Sequence, residues 1–355
     1  MNGSWLRGSV WDRAAIRWRG SNRPQPEPID IFHALSKAQK ILILPNDRVG
    51  GLFLGAPAYK VVRQSYPNAH IQLLVDAEKA SFASQIPFVD GVLTAALDKS
   101  LWSPAKKEEA RALVGEGFDL ALCLGPDCSF RLAHLCQESG ASLRVGFQRQ
   151  ELEPFNIEIA PTSTTGYEGE QCLKMLGLLG MTGDGEVRWK LIEKRAQQIR
   201  ARYLDDEKGA GRVVGIDLGN GEGKGLGNRQ LEDIIGRVVE LGARALLFFT
   251  LAERKQVNYL KETYGNRVIL FEQADLSSAA ALLQGCNALI ACNTDLLHLA
   301  ISLRIPSVGL FDEPPGRWVV LEEKGIRVIE TQDLRAVSIG QVVQALEAAL
   351  VEEKE

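Results

Sequence analysis

The sequence predicts an α/β protein built as two successive doubly wound parallel sheets. Short apolar runs of strand type alternate with longer segments of helical apolar spacing from Lys40 to Phe147, and the alternation starts afresh from Val213 to Leu310. A charged run, Glu193 to Lys208, separates the two series. At 355 residues the chain is long enough for two domains that each bury a core.

Residues 1–38 differ in kind from the rest. Trp5, Trp11 and Trp18 are interleaved with Arg7, Arg13, Arg17, Arg19 and Arg23, ahead of the Pro-rich Pro24 to Pro28. On a helix, Val10, Trp11, Ala14, Ala15 and Trp18 share one face with arginines on the other, the pattern of an interfacial helix on an anionic membrane. The same composition also suits a surface extension that ends in a stiff linker. The first domain, 39–195, then opens with a strand at Ile41 to Leu44, a glycine-containing turn from Asn46 to Gly51, and a helix from Leu52 to Tyr66. Further strands are expected at His70 to Val75, Gly91 to Thr94, Asp119 to Leu124 and Leu143 to Phe147, with a helix from Gly169 to Gly180. The run from Glu193 is expected to form a helix and hinge. In the second domain, 196–337, strands are expected at Val213 to Ile216, Ala245 to Phe249, Val268 to Phe271, Ala288 to Ala291 and Ser307 to Leu310. The amphipathic segment within 338–355 is a C-terminal helix suited to folding back across the cleft. Two open sheets of this kind, facing across a cleft, put a ligand crevice at the carboxyl ends of their strands.

Composition narrows the function classes. Hydrophobic content of 45% and charged content of 24% are those of an ordinary globular chain, and a net charge of −4 offers no whole-molecule case for nucleic acid. The six cysteines include no C-x-x-C pair, so buried free thiols are expected rather than a metal site or disulfide framework. No run approaches the roughly 18 apolar residues of a membrane span, and no secretory signal core is present. A cytoplasmic protein is expected, with the N-terminal extension offering peripheral contact with the inner membrane.

Three segments place polar or glycine residues at strand ends. Asp217 to Gly227 is dense in glycine, which lets backbone amides approach an anion, and Lys224 adds a point charge suited to phosphate. It is neither a Walker loop nor a dinucleotide fingerprint, and a surface loop is the plainer reading. Glu253, after the strand at Ala245 to Phe249, suits either a ribose or base contact or a helix N-terminus. Asn293 to His298 follows an apolar strand and opens a helix. Its N-terminus suits phosphate, and Thr294 and His298 lie four apart on one helix face. A helix cap and a packed histidine are the structural alternative.

In this order the segments resemble glycosyltransferase family 9, the ADP-heptose:lipopolysaccharide heptosyltransferases. In the first half the resemblance rests on Ile41 to Leu44, Asp47-Arg-Val-Gly50 with Ala56-Pro57-Ala58, Ser65-Tyr-Pro67, Pro87 to Asp90, Phe118-Asp119 and Arg144 to Phe147. In the second half it rests on Gly219 with Lys224, Leu276 to Leu283, His298-Leu-Ala300, Ile305 to Phe311 and Arg317-Trp318. The resemblance implies the GT-B fold, two Rossmann-like domains, and an inverting transfer from ADP-heptose to a lipopolysaccharide core or related glycan. It implies donor contacts by Gly219, Lys224, Glu253, Asn293, Thr294, Asp295 and His298, and an acceptor side at Arg48, Gly50 and Gly51. Lys60 and Arg63, on one face of the following helix, suit an acidic acceptor and equally a solvated face. No cofactor or metal is implied, since cations and helix dipoles neutralise the diphosphate.

The chain departs from the family at telling places. The donor turn, usually Asp-[Ser/Thr]-Gly-x-x-His-Leu, has Asn293 for the Asp and Asp295 for the Gly. Where the family has Gly-Asp and uses the Asp as its base, this chain has Gly50-Gly51. General-base help is worth roughly 10²–10⁴-fold, and Asp47 is the nearest substitute, though its position also suits a turn cap. The departures leave a second reading open: a catalytically impaired homologue serving as a nucleotide-binding or scaffold protein. An ordinary Rossmann-type oxidoreductase is disfavoured by the missing glycine fingerprint.

Overall fold

The computed structural model describes residues 29–96, 104–148, 154–163, 166–187, 193–204, 211–219, 225–273, 275–320 and 324–352. The Trp- and Arg-bearing part of the N-terminal extension and Lys224 lie outside them. The chain divides into two compact units, Met1–Val187 and Arg188–Glu355.

In the first unit α1 (Ile31–Lys37), capped by the Asp30 carboxylate, precedes β1 (Lys40–Leu44). Leu35 and Ala38 are buried, so this end of the expected extension is part of the domain. There follow α2 (Gly51–Leu54), α3 (Ala56–Ser65), β2 (His70–Val75), α4 (Ala77–Ala83), β3 (Gly91–Thr94), α5 (Pro104–Glu116), β4 (Leu120–Cys123), α6 (Phe130–Glu138), β5 (Leu143–Phe147), β6 (Ile157–Ile159) and α7 (Glu168–Leu178). The six strands are parallel in the order β3-β2-β1-β4-β5-β6. Strands covered on both faces need near-continuous apolar sequence; Ile41 to Leu44 and Leu120 to Cys123 supply it and are at most 1% exposed.

The second unit runs α8 (Glu193–Tyr203), β7 (Val213–Asp217), α9 (Asn228–Glu240), β8 (Arg244–Phe249), α10 (Arg254–Tyr264), β9 (Val268–Glu272), α11 (Leu276–Leu283), β10 (Ala288–Cys292), α12 (Asp295–Ser302), β11 (Ser307–Phe311), β12 (Ile326–Glu330) and α13 (Ile339–Glu352). Its parallel order is β12-β11-β10-β7-β8-β9. The charged helix α8 packs on α11 of its own unit. The C-terminal helix α13 lies on β10, β11, β12 and α9, burying Val342, Leu346 and Ala349 in the second unit's core.

Register is pinned by a repeated device. The Asp or Asn just ahead of a strand accepts from a backbone N–H of its neighbour: Asp90 from Ile71, Asp119 from Gln39 and Lys40, Asn156 from Arg144, and Asn287 from Val213, all at 2.7–2.9 Å. These bonds satisfy amides that the ladder leaves over at its start.

Candidate functional site

In each sheet the strand order reverses once, between β1 and β4 and between β7 and β10. The loops diverge there, leaving the crevice in which open α/β sheets bind ligands.

In the second unit β7 ends in an acid. Asp217 is 6% exposed, and its Oδ2 accepts from the Thr294 hydroxyl at 2.6 Å across the β7/β10 switch point. Its Oδ1 accepts from the Gly219 N–H at 3.2 Å, with Gly219 at φ +82°, a conformation that favours glycine. Burial pushes the Asp217 carboxyl above its usual range; the Thr294 and Gly219 bonds pull the other way, and the charges of Glu253 and Asp295 raise it further. Thr294 is also the N-cap of α12, accepting from the Leu297 N–H at 3.3 Å. The expected cap and the expected site residue are one side chain.

His298 is 2% exposed and its Nε2 lies 2.8 Å from Asn293 Oδ1. Because Asn293 Nδ2 donates to Glu313 at 3.2 Å, Oδ1 is the acceptor and the proton sits on His298 Nε2. The imidazole centroid is 6.2 Å from that of Trp318, whose own ring lies 4.7 Å beneath the Arg317 guanidinium. The loop after β11 therefore closes one side of the turn. Asp295 occupies the first turn of α12, favourable to the helix but of the wrong sign for an anion there. The expected donor residues Gly219, Asn293, Thr294, Asp295 and His298 thus meet at one switch point. Glu253 is engaged otherwise: its Oε2 accepts from the Thr250 N–H at 2.8 Å and hydroxyl at 2.6 Å, a helix cap. Asp217 was missed as a site residue. Its signal was an acid closing an otherwise apolar strand.

The first unit's switch point is filled by its own side chains. Asn46, 4% exposed, donates through Nδ2 to Asp127 at 3.0 Å and Glu168 at 2.9 Å, two carboxylates that are 5% and 1% exposed. Arg48 Nε pairs with Asp127 Oδ2 at 2.7 Å. Asp47 Oδ1 accepts from the Ser129 N–H at 2.8 Å, binding the turn after β1 to the start of α6. Gly51 packs so closely that a Cβ there would meet Asn46 O at 2.1 Å. A side chain cannot be added at Gly51 without moving the Asn46 backbone. The two basic residues of α3 are engaged locally. Lys60 pairs with Asp184 at 2.7 Å and donates to Glu186 O. Arg63 pairs with Asp90 and donates to the carbonyls of Phe88, Tyr66, Pro67 and Ala69, stapling the approach to β2.

The six cysteines are free and buried. Among the described residues no group of three or more His, Cys, Asp or Glu is placed to hold a metal ion, and no helix is long and apolar enough to cross a membrane.

Comparison with known proteins agrees with this geometry. The sequence profile of glycosyltransferase family 9 (heptosyltransferase) matches residues 233–340, which include the whole Asn293 to Trp318 region. No protein of curated function matches by sequence. Among solved structures, a family 9 glycosyl transferase from Veillonella parvula is similar at 19% identity, covering 88% of this chain and 97% of that one, with a TM-score of 0.71. The E. coli ADP-heptose lps heptosyltransferase II is similar at 17% identity, 89% and 100% coverage and a TM-score of 0.71. E. coli heptosyltransferase WaaC, solved with ADP, is similar at 18% identity, 87% and 99% coverage and 0.70. Residues 233–340 thus match the glycosyltransferase family 9 (heptosyltransferase) profile, and the chain has the two-domain α/β GT-B fold.

Proposed function

We propose that the protein transfers a sugar from a nucleoside-diphosphate donor, ADP-heptose being the first choice, to a lipopolysaccharide core or related glycan hydroxyl. The observation that carries this reading is the second unit's switch point. There the N-terminus of α12 and an imidazole held by Asn293, both inside the family-matched region, meet the Asp217 carboxylate that accepts from Thr294 across the switch point. In the transfer the acceptor oxygen forms a bond to the anomeric carbon as the bond to the diphosphate breaks, and the acceptor proton passes to a carboxylate. The α12 amides, His298 and Lys224 would hold the charge that develops on the leaving diphosphate. Gly51 supplies no base. Asp47 is the carboxylate nearest that position along the chain, and the Ser129 N–H on its Oδ1 orients it.

The second reading, a nucleotide-binding or scaffold homologue without transfer activity, is favoured by the closed Asn46 to Gly51 turn. Isothermal titration with ADP and ADP-heptose, with Lys224→Ala as control, tests the donor site. Micromolar binding weakened at least tenfold by the substitution supports it, and no heat with either ligand refutes it. Release of ADP from ADP-heptose in the presence of a glycan acceptor separates transfer from mere binding. In the same titration Asp295→Gly should tighten ADP binding about fivefold, by removing a like charge worth roughly 1 kcal/mol at a helix N-terminus.

A further inference from the structure

We infer that the Trp318 indole N–H is a ligand-binding group, donating to a diphosphate oxygen of the nucleotide; this rests on the donor-site reading above. Trp318 is 6% exposed, and its Nε1 has no hydrogen-bond partner among the described residues. Indole N–H is a donor only, and buried Trp ordinarily finds it an acceptor. An orphaned one is a standing cost that folding alone does not explain.

Its surroundings say what would satisfy it. The ring stands beside His298, and the loop that bears it, Asp312 to Trp318, is tied to the α12 turn through the Asn293 to Glu313 bond. It is held from within as well, the Trp318 backbone N–H donating to Pro315 O at 2.8 Å. The Arg317 guanidinium lies over the indole, 4.7 Å from its centroid. A cation over the π-face draws electron density from the ring and makes the N–H a stronger donor. Helix N-terminus, guanidinium and an unspent N–H all favour the same guest, an anion with several acceptor oxygens. In this reading the Asp312 to Trp318 loop, tied to the α12 turn, brings the Trp318 N–H to the diphosphate beside that turn.

The test is Trp318→Phe in the full-length protein, which keeps an aromatic ring at the position and removes the donor. Titrations with ADP and with inorganic pyrophosphate are compared with the wild type, alongside thermal unfolding without ligand. A hydrogen bond to a charged oxygen predicts roughly ten- to a hundredfold weaker binding of both ligands. The smaller ring should lower the unliganded Tm modestly, so both affinities are measured at a temperature where both proteins are fully folded. Unchanged ADP affinity, or a loss confined to ADP and absent with pyrophosphate, would overturn the assignment while leaving the donor site standing. Absence of ADP binding by the wild type would instead refute the donor-site reading itself, and this inference with it.

Discussion

The two sheets share a topology and have opposite switch points. In the first unit the space between β1 and β4 is closed by an amide, two carboxylates and a guanidinium that satisfy one another, with Gly51 pressed on the Asn46 backbone. In the second, the space between β7 and β10 is bordered by a helix N-terminus, an oriented imidazole, a buried acid and the unpartnered Trp318 Nε1. A crevice whose polar groups are spent on each other is structural, whereas one that keeps donors in reserve awaits a ligand. The fold supplies the place, and the hydrogen-bond accounts of individual side chains decide its use.

Breaking the closed switch point should have the largest effect. Asn46→Leu leaves Asp127 and Glu168 without their shared donor, and losing hydrogen bonds to buried carboxylates costs about 1.5–3 kcal/mol each. Denaturant unfolding measures it, and a loss under about 1 kcal/mol would show that the network is not what closes the turn. Gly51→Ala comes next. The Asn46 carbonyl must give way to the new Cβ, and overpacking of this kind costs about 1–3 kcal/mol. Gly51→Asp, which rebuilds the family's Gly-Asp, should therefore destabilise the first unit and fail to raise any transfer rate.

The open switch point should answer to pH. Since the Asp217 carboxyl lies above its usual range in the folded protein, its contribution to stability is fully present below the unfolded value of about 3.9. That contribution is lost as the pH rises through the higher folded value. Asp217→Asn can still accept from Gly219 and bond Thr294, so its Tm relative to wild type should climb as the pH is raised from 4 to 8. A difference that stays constant with pH would mean that the buried acid does not titrate above its usual range.

Much of this was legible in the residues. The ten strands expected from apolar runs are all present, because central parallel strands bury both faces and read continuously. The two that went unread, β6 and β12, are edge strands, one of three residues and one half-exposed, where burial writes little into the sequence. At the site, Thr294 and His298 could be placed by helix spacing alone. Asp217 was less visible, since its partner lies 77 positions away. Lys60 and Arg63 illustrate the converse limit: helical spacing put them on one face, but only the fold could show Asp184, Asp90 and four carbonyls waiting there. Gly51 carried both kinds of information. Its identity ruled out a base, and the 2.1 Å approach explains why no larger residue stands there.

Hydrogen–deuterium exchange of the full-length protein with and without saturating ADP most directly tests the contrast between the two switch points. Protection should appear in peptides covering Asn293 to His298 and Asp312 to Trp318, with exchange across Asn46 to Gly51 unchanged. Protection centred on Asn46 to Gly51, or none in the second unit, would contradict it.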